Sequence, residues 1–375
     1  MVTGTNALTN PSPKSTVVVG LSGGVDSAVS AKLLCDQGYT VKGVFMKNWD
    51  EDDGTEFCTA PADFEDARQV ADTMGIELLT ANFAAEYWDR VFEEFLTEYQ
   101  NGRTPNPDIL CNREIKFDLF IRYAKQIGAD AVATGHYAGL KSYEGAPALH
   151  KAKDLSKDQS YFLQAVPKDC FAHVLFPLSH LHKKEVRQIA RDAGFDVHQK
   201  KDSTGICFIG ERRFKEFLRR YIKSESGPII DTLGNEIGQH AGLAFFTLGQ
   251  RQGLGIGGRR GAEPRPWYVM KKLPATNTLV VSQLEADLLT SRLVATNANW
   301  LVDSPETMSN CMAKTRYGQV DQDCQFHIQG TRVEVEFDLP QRAVTPGQHI
   351  AFYEGTMCLG GAQIESTVAG TSAYA

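Results

Sequence analysis

The chain of 375 residues exceeds what one hydrophobic core usually organises, so two or three domains are expected. Its formal charge of −7 argues against indiscriminate nucleic-acid binding, although a whole-chain sum leaves a local basic face open. No apolar run approaches the roughly 20 residues of a membrane-spanning helix, which places the protein in the cytosol with no membrane partner.

Residues 1–15 carry neither a basic start nor a long apolar run and read as a disordered leader. The stretch Val17-Val18-Val19-Gly20-Leu21-Ser22-Gly23-Gly24-Val25-Asp26-Ser27 follows, an apolar run that breaks into glycines and small hydroxyls before a helical pattern begins. Such a turn suits phosphate. Its glycines let the backbone approach an anion, successive N–H groups form a nest, and the next helix points its positive end at the ligand. Ser22 and Ser27 supply hydroxyls, and Asp26 is placed to help hold a metal bridging two phosphates. No Lys stands where a Walker P-loop requires one.

Val25, Ala28, Val29 and Leu33 recur at helical spacing up to Gly38, a C-cap. Val41 to Met46 is a buried strand, and the polar residues 47–59 form a loop at its C-terminal end. Phe64 to Met74 gives a second helix, Ile76 to Phe83 a third strand, and Val91 to Tyr99 a third helix. The stretch Asn101 to Asn112 contains two prolines and a glycine and is expected to be an irregular loop, with helix resuming over Lys116 to Ile127. Ala129 to Thr134 is the next strand, ending at Gly135-His136-Tyr137. This alternation predicts an α/β, doubly wound, Rossmann-like parallel sheet with its site at the strand C-termini. His136 caps a strand end and is read as structural.

In residues 211–223, Phe214, Phe217, Leu218 and Tyr221 share one face of a predicted helix. The other carries Arg212, Arg213, Lys215, Arg219, Arg220 and Lys223 against Glu211 and Glu216, a solvated face or a contact to a phosphate backbone. Gly253 to Gly258 formally matches GxGxxG, but Arg259 to Pro266 cannot open the helix that a dinucleotide site needs. From about Leu284 short strands dominate. Val333, Val335 and Phe337 alternate with Arg332, Glu334, Glu336 and Asp338, and Thr345-Pro346-Gly347-Gln348 marks a turn, together indicating a small antiparallel barrel. The eight cysteines lack the close spacing of a zinc site, so no structural metal is expected.

SGGVDS at 22–27 resembles the pyrophosphate loop of the ATP pyrophosphatases, which split ATP between the α- and β-phosphates and attach AMP to a substrate oxygen. Further blocks narrow this: MKNWD at 46–50, TPNPDILCN at 104–112, TGHY at 134–137, KDQSY at 157–161, DSTGICFIG at 202–210, LGQRQGLGIGG at 248–258 and KTRY at 314–317. Together they resemble the bacterial tRNA-specific 2-thiouridylase family, which replaces the C2 oxygen of the wobble uridine with sulfur.

The resemblance implies a catalytic domain over 16–210, a central tRNA-binding domain over 211–283 and a β-barrel domain over 284–375. It implies ATP, with Mg2+ on the phosphates, held by Gly20, Leu21, Ser22, Gly23, Gly24, Val25, Asp26 and Ser27, with Met46 in the adenine pocket and Gly135 on the nucleotide. Cys207 would carry a persulfide and Cys111 would attack it, the pair ending as a transient disulfide. Asp108 would be acid or base, and Lys200, Lys201 or Arg212 would favour the thiolate. Asn106, Pro107 and Asp108 would face the target base. Lys157, Asp158, Gln159, Arg316 and Tyr317 would touch tRNA. The implied partners are tRNA and a persulfide donor, from a sulfur relay or a cysteine desulfurase. The chief rival is an amide-forming synthetase acting on small molecules. It needs neither the cysteine pair, the basic segment nor the barrel.

Overall fold

A computed structural model describes residues 12, 14–50, 60–202, 214–256, 265–303 and 311–368. The leader therefore lies almost wholly outside the described residues, as do Cys207 with its DSTGICFIG block beyond Asp202, and Arg212, Arg213, Arg259 and Arg260.

The N-terminal part opens with β1 (Thr16–Gly20), α1 (Val25–Asp36), β2 (Thr40–Lys47), α2 (Ala60–Met74) and β3 (Glu77–Asn82). One long helix follows as α3 (Ala84–Tyr87), a π-helical turn over Trp88–Phe92 and α4 (Glu93–Gln100). A second runs through α5 (Pro107–Leu110), a π-helical stretch over Cys111–Leu119 and α6 (Phe120–Gln126). Then come β4 (Ala131–Ala133), the hairpin β5 (Ala138–Tyr143) and β6 (Ala146–Lys151), α7 (Ser160–Leu163), β7 (Val174–Leu175) and α8 (Lys183–Asp192).

Strands β3, β2, β1, β4 and β7 form one parallel sheet in that order, with Val17 registered against both Val41 and Ala131. The expected doubly wound sheet is present, and its composition explains why. Val17, Val18 and Val19 are fully buried in the central strand, as an uninterrupted β-branched run requires when helices cover both faces. The chain order reverses between β1 and β4, so the crevice at their C-terminal ends is where such a sheet takes its ligand.

The loop expected over 101–112 needs correcting. Pro107 does not break a helix but begins one, at the first helical position, where its missing N–H costs nothing and its fixed φ suits the turn. The helix then runs on without interruption through Cys111 to Gln126.

The central part contains α9 (Phe214–Tyr221), β8 (Gly227–Ile230), β9 (Glu236–His240), β10 (Tyr268–Leu273) and β11 (Thr278–Ser282), the strands ordered β10-β11-β8-β9. The predicted apolar face of α9 is real. Phe214 meets Phe95 and Tyr99, while Tyr221 meets Trp88 and Phe92 at centroid separations of 6.0 and 4.9 Å. Between them Phe217 is fully buried against Phe92, and full burial of such a ring contributes roughly 1.5–3 kcal/mol, so this face fastens α9 to the first domain.

The C-terminal strands β12 (Leu289–Trp300), β13 (Cys311–Lys314), β14 (Gln322–Gln329), β15 (Arg332–Arg342), β16 (His349–Glu354) and β17 (Met357–Val368) close into a six-stranded antiparallel barrel through the β12–β17 pairing. Val333, Val335 and Phe337 point inward, buried, as their alternation predicts. Sequence reading did not reveal that the β5–β6 hairpin of the first domain extends the barrel sheet, pairing Met357 with His150.

Candidate active site

The phosphate-type turn is built as its composition suggests. Leu21 N–H donates to Val44 O at 2.9 Å, tying the end of β1 to β2. Ser27 Oγ accepts from Ser22 N–H and donates to Gly24 O at 3.0 Å, closing the turn onto the start of α1. Gly23 has φ +72°, and a Cβ there would lie 2.2 Å from Asp63 O, so only glycine fits. At Gly135 a Cβ would come within 2.8 Å of Ser27 N, so this glycine lets the segment after β4 press against the N-terminus of α1. Met46 lies beside Gly20, its methyl 3.1 Å from where a Cβ would stand. The structure thus brings Gly20 to Ser27, Met46 and Gly135 together at the C-terminal ends of β1, β2 and β4.

Charges around the turn come from far along the chain. Lys183, the first residue of α8, places Nζ 2.7 Å from both carboxylate oxygens of Asp26 and 2.8 Å from Asp202. Asp202 also pairs with Lys157 at 2.6 Å and Arg187 at 2.8 Å. Burial opposes ionisation of Asp202, but hydrogen bonds from Lys157 and Lys183 overcome it and hold its carboxyl at about 2. Tyr137 Oη donates to Asp26 at 2.9 Å. Lys200, expected to favour a thiolate, instead donates to Gly23 O, Asp63 and Asp66, clasping the turn to α2. Burial, with Lys116 nearby, pushes His136 well below its ordinary range, and Thr134 Oγ1 shares a hydrogen bond with its Nδ1.

Asp108 and Cys111 sit one turn apart on the helix that opens at Pro107, which brings them to one face. Cys111 is only 1% exposed and begins the π-helical stretch, a local widening that recurs at functional sites. Cys111 is therefore helical and not, as its neighbours suggested, in a loop. The strand of residues leading to this helix is clamped by the barrel. Thr104 N–H donates to Pro346 O at 2.9 Å, and Gln348 Nε2 donates to Thr104 O at 2.7 Å and Pro105 O at 3.1 Å. Asn106, Pro107 and Asp108 follow directly from that clamp.

The residues expected at tRNA divide. Lys157, Arg316 and Tyr317 are at the surface, and Tyr317, in the turn between β13 and β14, packs on Phe162 of α7 at 4.5 Å. Asp158 is buried and Gln159 half-buried. Asp158, 4% exposed, accepts from Ala152 N–H and Ser160 Oγ–H, and Gln159 Oε1 accepts from Tyr137 N–H at 2.9 Å. Both side chains brace the Lys157 loop from within the chain. On α9, Arg219 and Arg220 are exposed, Arg219 lying over the Phe245 ring. Among the described residues no group of three or more His, Cys, Asp or Glu side chains could hold a metal ion, and no helix is long and apolar enough to cross a membrane.

Sheet order, glycine turn and appended β-domains define a nucleotide-binding α/β protein carrying two smaller β modules. Family models match all three parts: a tRNA methyl transferase HUP domain over residues 15–211, a tRNA methyl transferase PRC-barrel domain over 215–283 and an aminomethyltransferase β-barrel domain over 290–364. Full-length relatives give the more specific label. The tRNA-specific 2-thiouridylase MnmA of Hahella chejuensis is 56% identical over 353 residues, 93% of this chain and 97% of the relative. That of Alcanivorax borkumensis is 57% identical over 355 residues, 94% of this chain and 97% of the relative. The chain belongs to the tRNA-specific 2-thiouridylase family. A solved 4-thiouridine synthetase–RNA complex with bound ATP aligns at 19% identity and a TM-score of 0.36, covering 55% of this chain and 50% of that one.

Proposed function

We propose that this protein is an ATP-dependent tRNA-uridine 2-sulfurtransferase that converts the wobble uridine to 2-thiouridine. The observation that carries the reading is full-length membership of the family, with the glycine turn and the Asp108–Cys111 helix both in place.

The C2 carbonyl of uracil is a poor electrophile, because its oxygen is a poor leaving group. Attack of that oxygen on the α-phosphorus of ATP forms a C2–O–P link and expels pyrophosphate; the oxygen then departs as part of AMP. The turn from Gly20 to Ser27 holds the phosphates, with Met46 and Gly135 beside it. Asp26, a partly exposed carboxylate at the start of α1, fits a magnesium ion, which takes oxygen ligands. When bound, that ion would neutralise charge on the departing pyrophosphate.

Cys207 carries the incoming sulfur as a persulfide, loaded by a donor protein. Its outer sulfur bonds to C2 as the C2–O bond breaks. Cys111 attacks the inner sulfur, so one S–S bond forms as another breaks, leaving a Cys111–Cys207 disulfide that an external dithiol must reduce. Asp108, one turn from Cys111, moves the proton. Asn106 and Pro107 face the base, and Lys157, Arg316 and Tyr317 meet the RNA, the tyrosine by stacking and the cations at phosphates. The small-molecule synthetase reading leaves the cysteines, the basic α9 face and the barrel without a task.

Incubating the purified protein with ATP, magnesium, a persulfide donor and unmodified tRNA is expected to yield 2-thiouridine and AMP in equal amounts, read by nucleoside mass spectrometry and chromatography. AMP production without 2-thiouridine would refute the assignment.

A further inference from the structure

Two segments far apart in the chain meet where RNA is expected to bind: residues 151–162 of the first domain, which carry Lys157, and the turn over 315–321 between β13 and β14, which carries Arg316 and Tyr317. The turn is held at two points. Tyr317 packs on Phe162, and at the far end Asp321 Oδ2 accepts from Lys151 Nζ across 170 positions. Lys151 is the last residue of β6, and its side chain is 4% exposed, so the ammonium lies beneath the turn and not at the surface. It stands 4.1 Å from the centre of the Tyr353 ring, while Lys314 Nζ lies over the same ring and 3.6 Å from the other oxygen of Asp321. Tyr353 Oη meets Ser160 Oγ at 3.1 Å, and Ser160 donates to Asp158, which also accepts from Ala152 N–H. Lys151 N–H donates to Thr356 O at 2.8 Å, so the side chain is fixed at its root as well as its tip.

A buried ion pair contributes little net stability, because desolvating both charges offsets their attraction, and an apolar pair of similar volume would join two domains as well. What it fixes is geometry. We infer that Lys151 is a positioning residue for RNA binding: through Asp321 it sets the turn bearing Arg316 and Tyr317 against the segment bearing Lys157, so that groups from two domains meet one RNA in one arrangement. This inference rests on the function proposed above in taking tRNA as the ligand, but its test requires neither sulfur nor turnover.

The test is fluorescence-anisotropy titration of the whole protein with unmodified tRNA, beside calorimetric titration with magnesium ATP and a melting curve. Lys151→Met is expected to weaken tRNA binding roughly 10-fold, the scale of one aromatic stack lost, while ATP affinity stays within about twofold. Asp321→Asn should do the same. Lys141→Met, which removes an exposed lysine of the same hairpin, should bind tRNA as wild type does. In a background of Arg316→Ala and Tyr317→Ala, adding Lys151→Met should cost less than about twofold more, because Lys151 acts through those side chains. A further loss of roughly 10-fold there, or unchanged tRNA affinity in folded Lys151→Met, would overturn the inference. The Lys151→Met, Asp321→Asn double variant removes both charges of the pair, so Tm should return toward wild type while tRNA affinity stays low. Recovery of affinity together with Tm would overturn the inference, since the pair would then serve stability alone. Should Lys151→Met not fold, Asp321→Asn carries the comparison, and wild-type tRNA affinity in it would likewise overturn it. If the wild type binds tRNA but makes no 2-thiouridine, the proposed function fails while the Lys151 result still stands.

Discussion

Cys111→Ser is expected to lower 2-thiouridine formation by roughly 10^3-fold or more, the scale on which enzymes lose a nucleophile, while ATP binding stays within about twofold. Serine nearly matches cysteine in volume, and the site is buried within a continuous helix, so the change alters chemistry far more than packing. Its hydroxyl cannot resolve a persulfide, because an S–O bond does not replace the disulfide that ends the cycle. The measurement is nucleoside mass spectrometry of the tRNA product beside a calorimetric ATP titration. Turnover comparable to wild type would remove Cys111 from the mechanism. Cys207→Ser should behave alike with a persulfide donor, whereas free sulfide bypasses the carrier.

The second large effect is expected at Gly23. Alanine there meets two penalties. A left-handed backbone at φ +72° costs a residue with a Cβ about 1–2 kcal/mol, and the added carbon would stand 2.2 Å from Asp63 O. Relief requires the start of α2 to move, which breaks the Lys200 clasp joining Gly23 O to Asp63 and Asp66. Gly23→Ala should therefore weaken ATP binding by at least about 100-fold and lower Tm by several degrees, at about 2–4 °C per kcal/mol for a domain of roughly 200 residues. Gly24→Ala is the matched comparison. Gly24 has φ −104°, and the nearest atom to its added carbon is Ser22 Oγ at 3.4 Å, so Tm should stay within about a degree. Equal melting temperatures for the two variants would contradict this account of the turn.

Local patterning made much of this legible. A run of three valines followed by glycines announces a buried central strand and a tight glycine turn, and both are present. The alternation over residues 332–338 and the apolar face of α9 were equally plain, since each needs only its own periodicity. Pro107 misled because proline both ends helices and starts them, and only the cap geometry separates the two. Asp158 and Gln159 make bonds that their motif does not announce. A charged or amide side chain in a surface loop can satisfy backbone N–H groups, as both do at Ala152 and Tyr137. The ion pairs that govern the turn were invisible, because Lys183 and Asp26 are 157 positions apart and nothing in either local stretch names the other. The same holds for the Gln348 clamp on Thr104 and Pro105, a contact across 244 positions that fixes where the helix bearing Asp108 and Cys111 begins.

The central claim is that ATP activates the C2 oxygen of a tRNA uridine so that sulfur can displace it. Its most direct test uses unmodified tRNA labelled with oxygen-18 at C2 of the wobble uridine, incubated with the protein, ATP and a persulfide donor. Mass spectrometry of the AMP released should show one labelled oxygen for each 2-thiouridine formed. Unlabelled AMP accompanying thiolated tRNA, or label retained in the RNA, would contradict the account.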